Sequence, residues 1–185
     1  MDSEIKGLAH HMRDFGLHLM GKAVRDATFI EMGAPYAHAM AVSIAAQAAE
    51  IIVKARIAQE HPLLIFSKLP RQSQACGSRL NFEDLFSEGR SLEFSELADV
   101  LWAVTGYRIP NSDQFREFGK TRNAIIHFAV PNVDLDELTL KFAFQVVQPM
   151  VTEFWQESLL EYCGAYDDDM EVYLTERLKS LGINI

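Results

Sequence analysis

The sequence predicts an all-α protein, an antiparallel bundle of five to six helices forming one domain over residues 1–185. Three observations carry that prediction. Apolar residues recur at helical spacing along the chain, and no alternating run of Val, Ile or Thr argues for a strand. Proline and glycine fall between the periodic stretches, as stops. At 185 residues and 49% hydrophobic, the chain is long enough for one real core and too short for two comfortable ones.

The first helix is expected over about Ser3 to Phe29, ending near Gly33-Ala34-Pro35. The second, about Tyr36 to Glu60, is rich in alanine, which favours helix and lets neighbouring helices approach. His61-Pro62 stops it, because a residue before proline is pushed out of helical geometry. Residues 62–93 are the least regular, punctuated by Pro70, Gly77 and Gly89. A third helix is expected at about Ser95 to Thr105, with Ser95 as N-cap and Gly106 as stop. The fourth opens after Ile109-Pro110-Asn111-Ser112 and closes before Pro131. The fifth starts at Asp134, where Glu137 offers a carboxylate form of the capping box, and runs to about Cys163-Gly164 with a kink at Pro149. A last helix begins after Asp167-Asp168-Asp169, three carboxylates suited to a helix N-terminus.

Charge narrows the partners. The chain carries 17 basic and 26 acidic side chains, a formal −9, which excludes a uniformly basic nucleic-acid coat. Residues 1–53 sum to −2, residues 54–122 to +1 and residues 123–185 to −8, so an anion is expected on the central segment if one docks at all. No apolar run reaches the roughly 18–20 residues that cross a bilayer. The N-terminal stretch is polar and unlike a signal peptide, and two lone cysteines, Cys76 and Cys163, make neither a disulfide framework nor a zinc cluster. A soluble cytoplasmic protein, with no membrane partner and no cofactor or metal, is the expectation.

Two helices carry side chains that a plain bundle does not need. On the fourth, Phe115, Phe118, Ile125 and Ala129 trace one apolar face, and Arg122 falls on the same line. A guanidinium on a core-facing stripe needs a partner. Beside it run Arg116, Lys120, Asn123 and His127, at spacings of four, three and four. On the second helix Ser43, Gln47, Glu50 and Lys54 form a polar line. Glu50 is the only acid between Glu31 and Glu60, which makes it a candidate counter-ion for Arg122, although both lines also read as ordinary solvent faces.

At these residues the chain resembles the HEPN superfamily, all-helical nucleotide- and RNA-binding domains of bacterial toxin and defence systems. The family signature is an arginine, a polar residue and a following histidine, here Arg122-Asn123-Ala124-Ile125-Ile126-His127. Ala48 to Arg56 and His61 to Phe66 resemble particular branches, and the likeness covers about Tyr36 to Phe128. It implies a HEPN-like fold and a metal-independent endoribonuclease in which the RNA 2′-hydroxyl is the nucleophile. His127 would move protons near neutral pH and Arg122 would hold phosphate oxygens. Asn123 would orient the histidine or the phosphate, and Lys120 and Arg116, supported by Glu50 and Lys54, would steer the RNA backbone. Residues five apart on a helix are offset by about 140°, so the resemblance implies a homodimer in which two signature helices share one cleft. A tyrosine two residues after the histidine, the modification site of some branches, is replaced by Ala129. A protein antitoxin or other regulator stays open, as does a non-catalytic module binding RNA, a nucleotide or a protein, or a scaffold with no nucleic acid.

Other constellations are weaker. His10, Asp14 and His18, with His11 and His38 as further donors, have metal-compatible spacing that chance also produces on a surface helix. Phe142, Phe144, Phe154, Trp155 and Tyr162 suit core or contact surface better than a base platform. Cys76, with Arg71 and Arg79 near in sequence, reads as an ordinary thiol.

Overall fold

A computed structural model of the chain describes residues 3–29, 34–74, 80–164 and 168–183. The α-helices are α1 (Ser3–Thr28), α2 (Ala37–Glu60), α3 (Phe82–Glu88), α4 (Leu97–Thr105), α5 (Ser112–His127), α6 (Leu135–Phe142), α7 (Gln148–Trp155) and α8 (Asp168–Ser180). The architecture is the all-α bundle that the periodicity predicts. No described helix is long and apolar enough to cross a membrane.

The chain forms two compact units, residues 1–14 with 50–108, and residues 15–49 with 109–185. Helices α1 and α2 each contribute residues to both.

In the first unit, the apolar side of α2 after Glu50 buries Ile52, Val53, Ile57 and Ala58. His61 ends that helix in extended geometry, and its Nδ1 accepts the Leu63 N–H as the following 3-10 turn begins with Pro62. The described residues from there to Glu93 hold more order than their composition suggests. Strands β1 (Phe66–Lys68) and β2 (Arg90–Ser91) pair antiparallel, and α3 lies between them in sequence. Asn81 caps α3: its Oδ1 accepts from the Asp84 N–H at 2.8 Å, and the Asp84 carboxylate accepts from the Asn81 N–H at 3.2 Å. The expected Ser95 cap is not formed. Ser95 lies inside a 3-10 turn, Phe94–Glu96, whose geometry is held by the Glu93 N–H donating to Glu96 Oε2 at 2.7 Å. Gly106, at φ 76°, does end α4, a left-handed stop that favours glycine.

In the second unit α5 is seated by aromatic packing. The Phe118 and Phe142 rings stack at 3.7 Å, with Phe115 6.0 Å from Phe142. All three are fully buried, and truncating such a phenylalanine costs about 3–5 kcal/mol. The expected fifth helix divides. After α6 the chain widens into one π turn, Ala143–Val147, then resumes as α7 and stops at Trp155, where Gln156 turns left-handed at φ 58°. Pro149 has no N–H to give the Gln145 carbonyl, the bond an unbroken α-helix would require. Asn111 Nδ2 donates to that carbonyl instead, at 3.2 Å. Cys163-Gly164 therefore lies beyond the helix, after a 3-10 turn at Leu159–Tyr162.

The capping box expected at Asp134 is also absent. Asp134 makes no side-chain cap bond, and Glu137 accepts from Lys141 at 2.6 Å rather than reaching back. A full positive charge one turn on is a stronger partner for that carboxylate than a backbone N–H.

Candidate functional site

Helix α5 starts from Asn111 in the left-handed region, φ 49°, and its first turns are held down by Phe115 and Phe118. The buried line stops there. Arg122 and Ile125 are half-buried and Ala129 is exposed, so Arg122 is not a core guanidinium as the stripe suggested. Phe142 covers Phe115 and Phe118, and the two turns that follow run out towards solvent.

Arg122 Nη1 donates to Asn123 Oδ1 at 2.9 Å, which fixes one side of the guanidinium fork against its neighbour. His127 closes the last turn of α5 and is exposed, its ring edge-on to Phe128 at 6.5 Å. On the flank, Arg116 pairs with Asp113 at 3.5 Å and Lys120 with Glu117 at 2.6 Å. Both pairs are well exposed, and such bridges hold at most about 1 kcal/mol, so an incoming phosphate can displace either carboxylate. Arg116, Lys120, Arg122, Asn123 and His127 are thus carried on the surface of one helix.

Glu50 and Lys54 have a different place. They belong to the first unit, where Lys54 Nζ donates to Glu50 Oε1 at 2.6 Å and to Ser91 Oγ at 3.2 Å. The Lys54 side chain is 6% exposed and tethers α2 to β2. It is a structural cation, not one presented to a backbone of RNA. Glu50 is its counter-ion, which corrects the expected pairing of Glu50 with Arg122.

No family model, curated protein or solved structure matches this chain.

Sequence reasoning passed over the end of α5 and the segment that follows it. Ile126, Phe128, Val130 and Val133 are all exposed, Phe128 to 88%. The signal was present in the sequence: the run His127-Phe128-Ala129-Val130-Pro131 has apolar residues outside any helical period. Val130 and Val133 also line a cavity of about 380 Å³ with Tyr36, His38, Asp134 and Asp136. Burial alone would raise the Asp136 carboxyl. The Arg177 hydrogen bond at 2.8 Å, the Glu137 backbone N–H and the charges of His38 and Arg177 outweigh it, and hold the group below the ordinary aspartate value.

The other constellations resolve locally. His10 Nε2 meets Asp14 at 3.2 Å, while the His18 and Tyr162 rings pack edge to face at 5.1 Å. Among the described residues, no group of three His, Cys, Asp or Glu comes together to hold a metal. Phe142 and Phe144 are core, and Phe154 and Trp155 pack edge to face. Cys76 and Arg79 lie outside the described residues. Cys163 is buried, and burial pushes its thiol up to about 12 against a smaller opposing effect of the Arg25 charge.

Proposed function

We propose that the chain is a metal-independent endoribonuclease of a toxin or defence system, acting as a homodimer with a composite site. The observation that carries this reading is the end of α5: Arg122 braced by Asn123, and His127 exposed on the last turn, beside an uncovered apolar strip. Those residue types suit the reaction. One His127 accepts the 2′-hydroxyl proton as that oxygen attacks the adjacent phosphorus. Arg122 offsets the charge of the dianionic phosphorane, and the 5′-oxygen leaves with a proton from the second copy of His127. The products are a 2′,3′-cyclic phosphate and a 5′-hydroxyl end. Two subunits are needed because the 140° offset on one helix does not aim both groups at one atom (about 100° per residue), and the apolar strip beside His127 supplies a face for the second copy.

Labelled RNA incubated with the protein in EDTA is the test. Cleavage that disappears in His127→Ala, with helix content retained, is the expected result. Binding without cleavage would favour a non-catalytic RNA-binding module, a reading that the −9 charge supports because a free RNA enzyme is usually less acidic. Neither binding nor cleavage would sink both.

A further inference from the structure

A second concave surface lies in the same unit, on a face of α1 that the α5 site does not use. Phe15, His18, Lys22 and Arg25 recur at spacings of three, four and three, so they share one side of the helix. They line a cavity of about 340 Å³ whose opposite wall is Glu161 and Tyr162. That volume falls in the range of small-molecule sites, about 300–1,000 Å³.

The walls are fixed rather than incidental. A Cβ built on Gly21 would lie 2.0 Å from the Tyr162 carbonyl oxygen, so α1 and the Leu159–Tyr162 turn touch backbone to backbone. His18 meets Tyr162 edge-on with planes 81° apart, and the Tyr162 hydroxyl donates to Glu157 at 2.6 Å. The aromatic wall therefore has one orientation.

The lining is chemically two-ended. Phe15, 49% exposed, stands at one end and Arg25 at the other, roughly 15 Å apart along the helix axis at 1.5 Å per residue. Arg25 forms no ion pair among the described residues, and Lys22 is held by Asp26 at 2.7 Å. In a chain of net charge −9, the cavity gathers two cations and an imidazole against Glu161, with Asp26 as the counter-ion of Lys22. A guanidinium fork with an adjacent ammonium is the geometry that phosphate oxygens fill. A half-bare phenyl ring beside a fixed tyrosine is what a flat ring covers.

We infer that this cavity binds a phosphomonoester carrying a flat aromatic ring, with the phosphate on Arg25 and Lys22 and the ring against Phe15 and Tyr162. Glu161, on the rim, then accepts from a ring amine. The site is independent of the α5 chemistry and stands whether or not the chain cuts RNA.

Adenosine 5′-monophosphate, titrated into the full chain by calorimetry, is the probe. It is expected to bind at least ten-fold more tightly than adenosine or inorganic phosphate, because each fragment engages one end only. Arg25→Gln should weaken it ten-fold or more and Phe15→Ala several-fold, with melting temperatures showing that both variants fold. Addition of the nucleotide to the wild-type protein should shift the Phe15 and His18 ring resonances, a readout that needs no variant. His127→Ala should bind as wild type does. Equal affinity for the nucleotide and inorganic phosphate, an unaffected Arg25→Gln, or binding lost with His127 would each overturn the assignment.

Discussion

The Glu50–Lys54 pair shows how much one ion pair can hold when one end is dry. The Lys54 side chain is 6% exposed against 30% for Glu50, and Ser91 supplies its other bond. Removing the carboxylate leaves a buried ammonium without a counter-charge, whereas removing the ammonium leaves a carboxylate that water can reach. Glu50→Ala is therefore expected to cost about 3 kcal/mol and Lys54→Met less than about 1 kcal/mol. Urea unfolding of both variants measures the asymmetry, and equal losses would mean that Lys54 is not desolvated. Asp136 and Arg177 make a second, wetter pair, 2.8 Å apart with 23% and 36% of their side chains exposed. The Asp136 carboxyl lies below its unfolded value, so its contribution is present above the ordinary aspartate range and is lost as pH falls through the lower folded value. Arg177→Gln should lower stability by about 0.5–1 kcal/mol at pH 7. That deficit should fade as pH falls below the ordinary aspartate range, and a constant deficit across the acid limb would remove Asp136 as the partner.

At the scale of elements, the stops were legible and the tertiary bonds were not. His61-Pro62, Gly106 and Asn111-Ser112 each act through local backbone restriction, and the helix ends fall where they stand. Strands of three and two residues have no period to read, and what secures β2 is Lys54, 37 residues away in sequence. Arg122 was misplaced for a related reason: spacing puts it in line with Phe118, but only the position of Phe142 says where cover ends. The α6–α7 break joins both kinds of information. Pro149 announces an unserved carbonyl, and Asn111, 34 residues away from Gln145, serves it while holding φ 49° at the start of α5. These two roles can be separated. Asn111→Gly keeps the left-handed backbone and loses the bond, at an expected cost of about 0.5–1.5 kcal/mol. Asn111→Ala loses both and should cost about 1–2 kcal/mol more. Thermal melts of the pair decide it; equal melting temperatures would show that the backbone geometry at Asn111 carries no strain relief.

For the whole molecule the open matter is what meets the end of α5. Phe128 is 88% exposed, and Ile126, Val130 and Val133 extend the uncovered apolar surface on either side of it. Within one chain such a ring contributes little to folding, since a substitution on the surface moves stability by no more than about 0.5 kcal/mol. Against a second copy the same ring would be the most heavily buried group of the seam, and a glutamate there would face its own symmetry mate or a hydrophobic neighbour. On the proposed homodimer, Phe128→Glu is therefore expected to sediment as a monomer at concentrations where the parent chain associates, with its helical signal intact. RNA cleavage should fall with dimer content, because the variant leaves Arg122 and His127 in place but parts them from their second copies. A Phe128→Glu variant that cuts RNA as a monomer, or a monomeric parent that still cuts RNA, would break the link between this surface and the chemistry beside it.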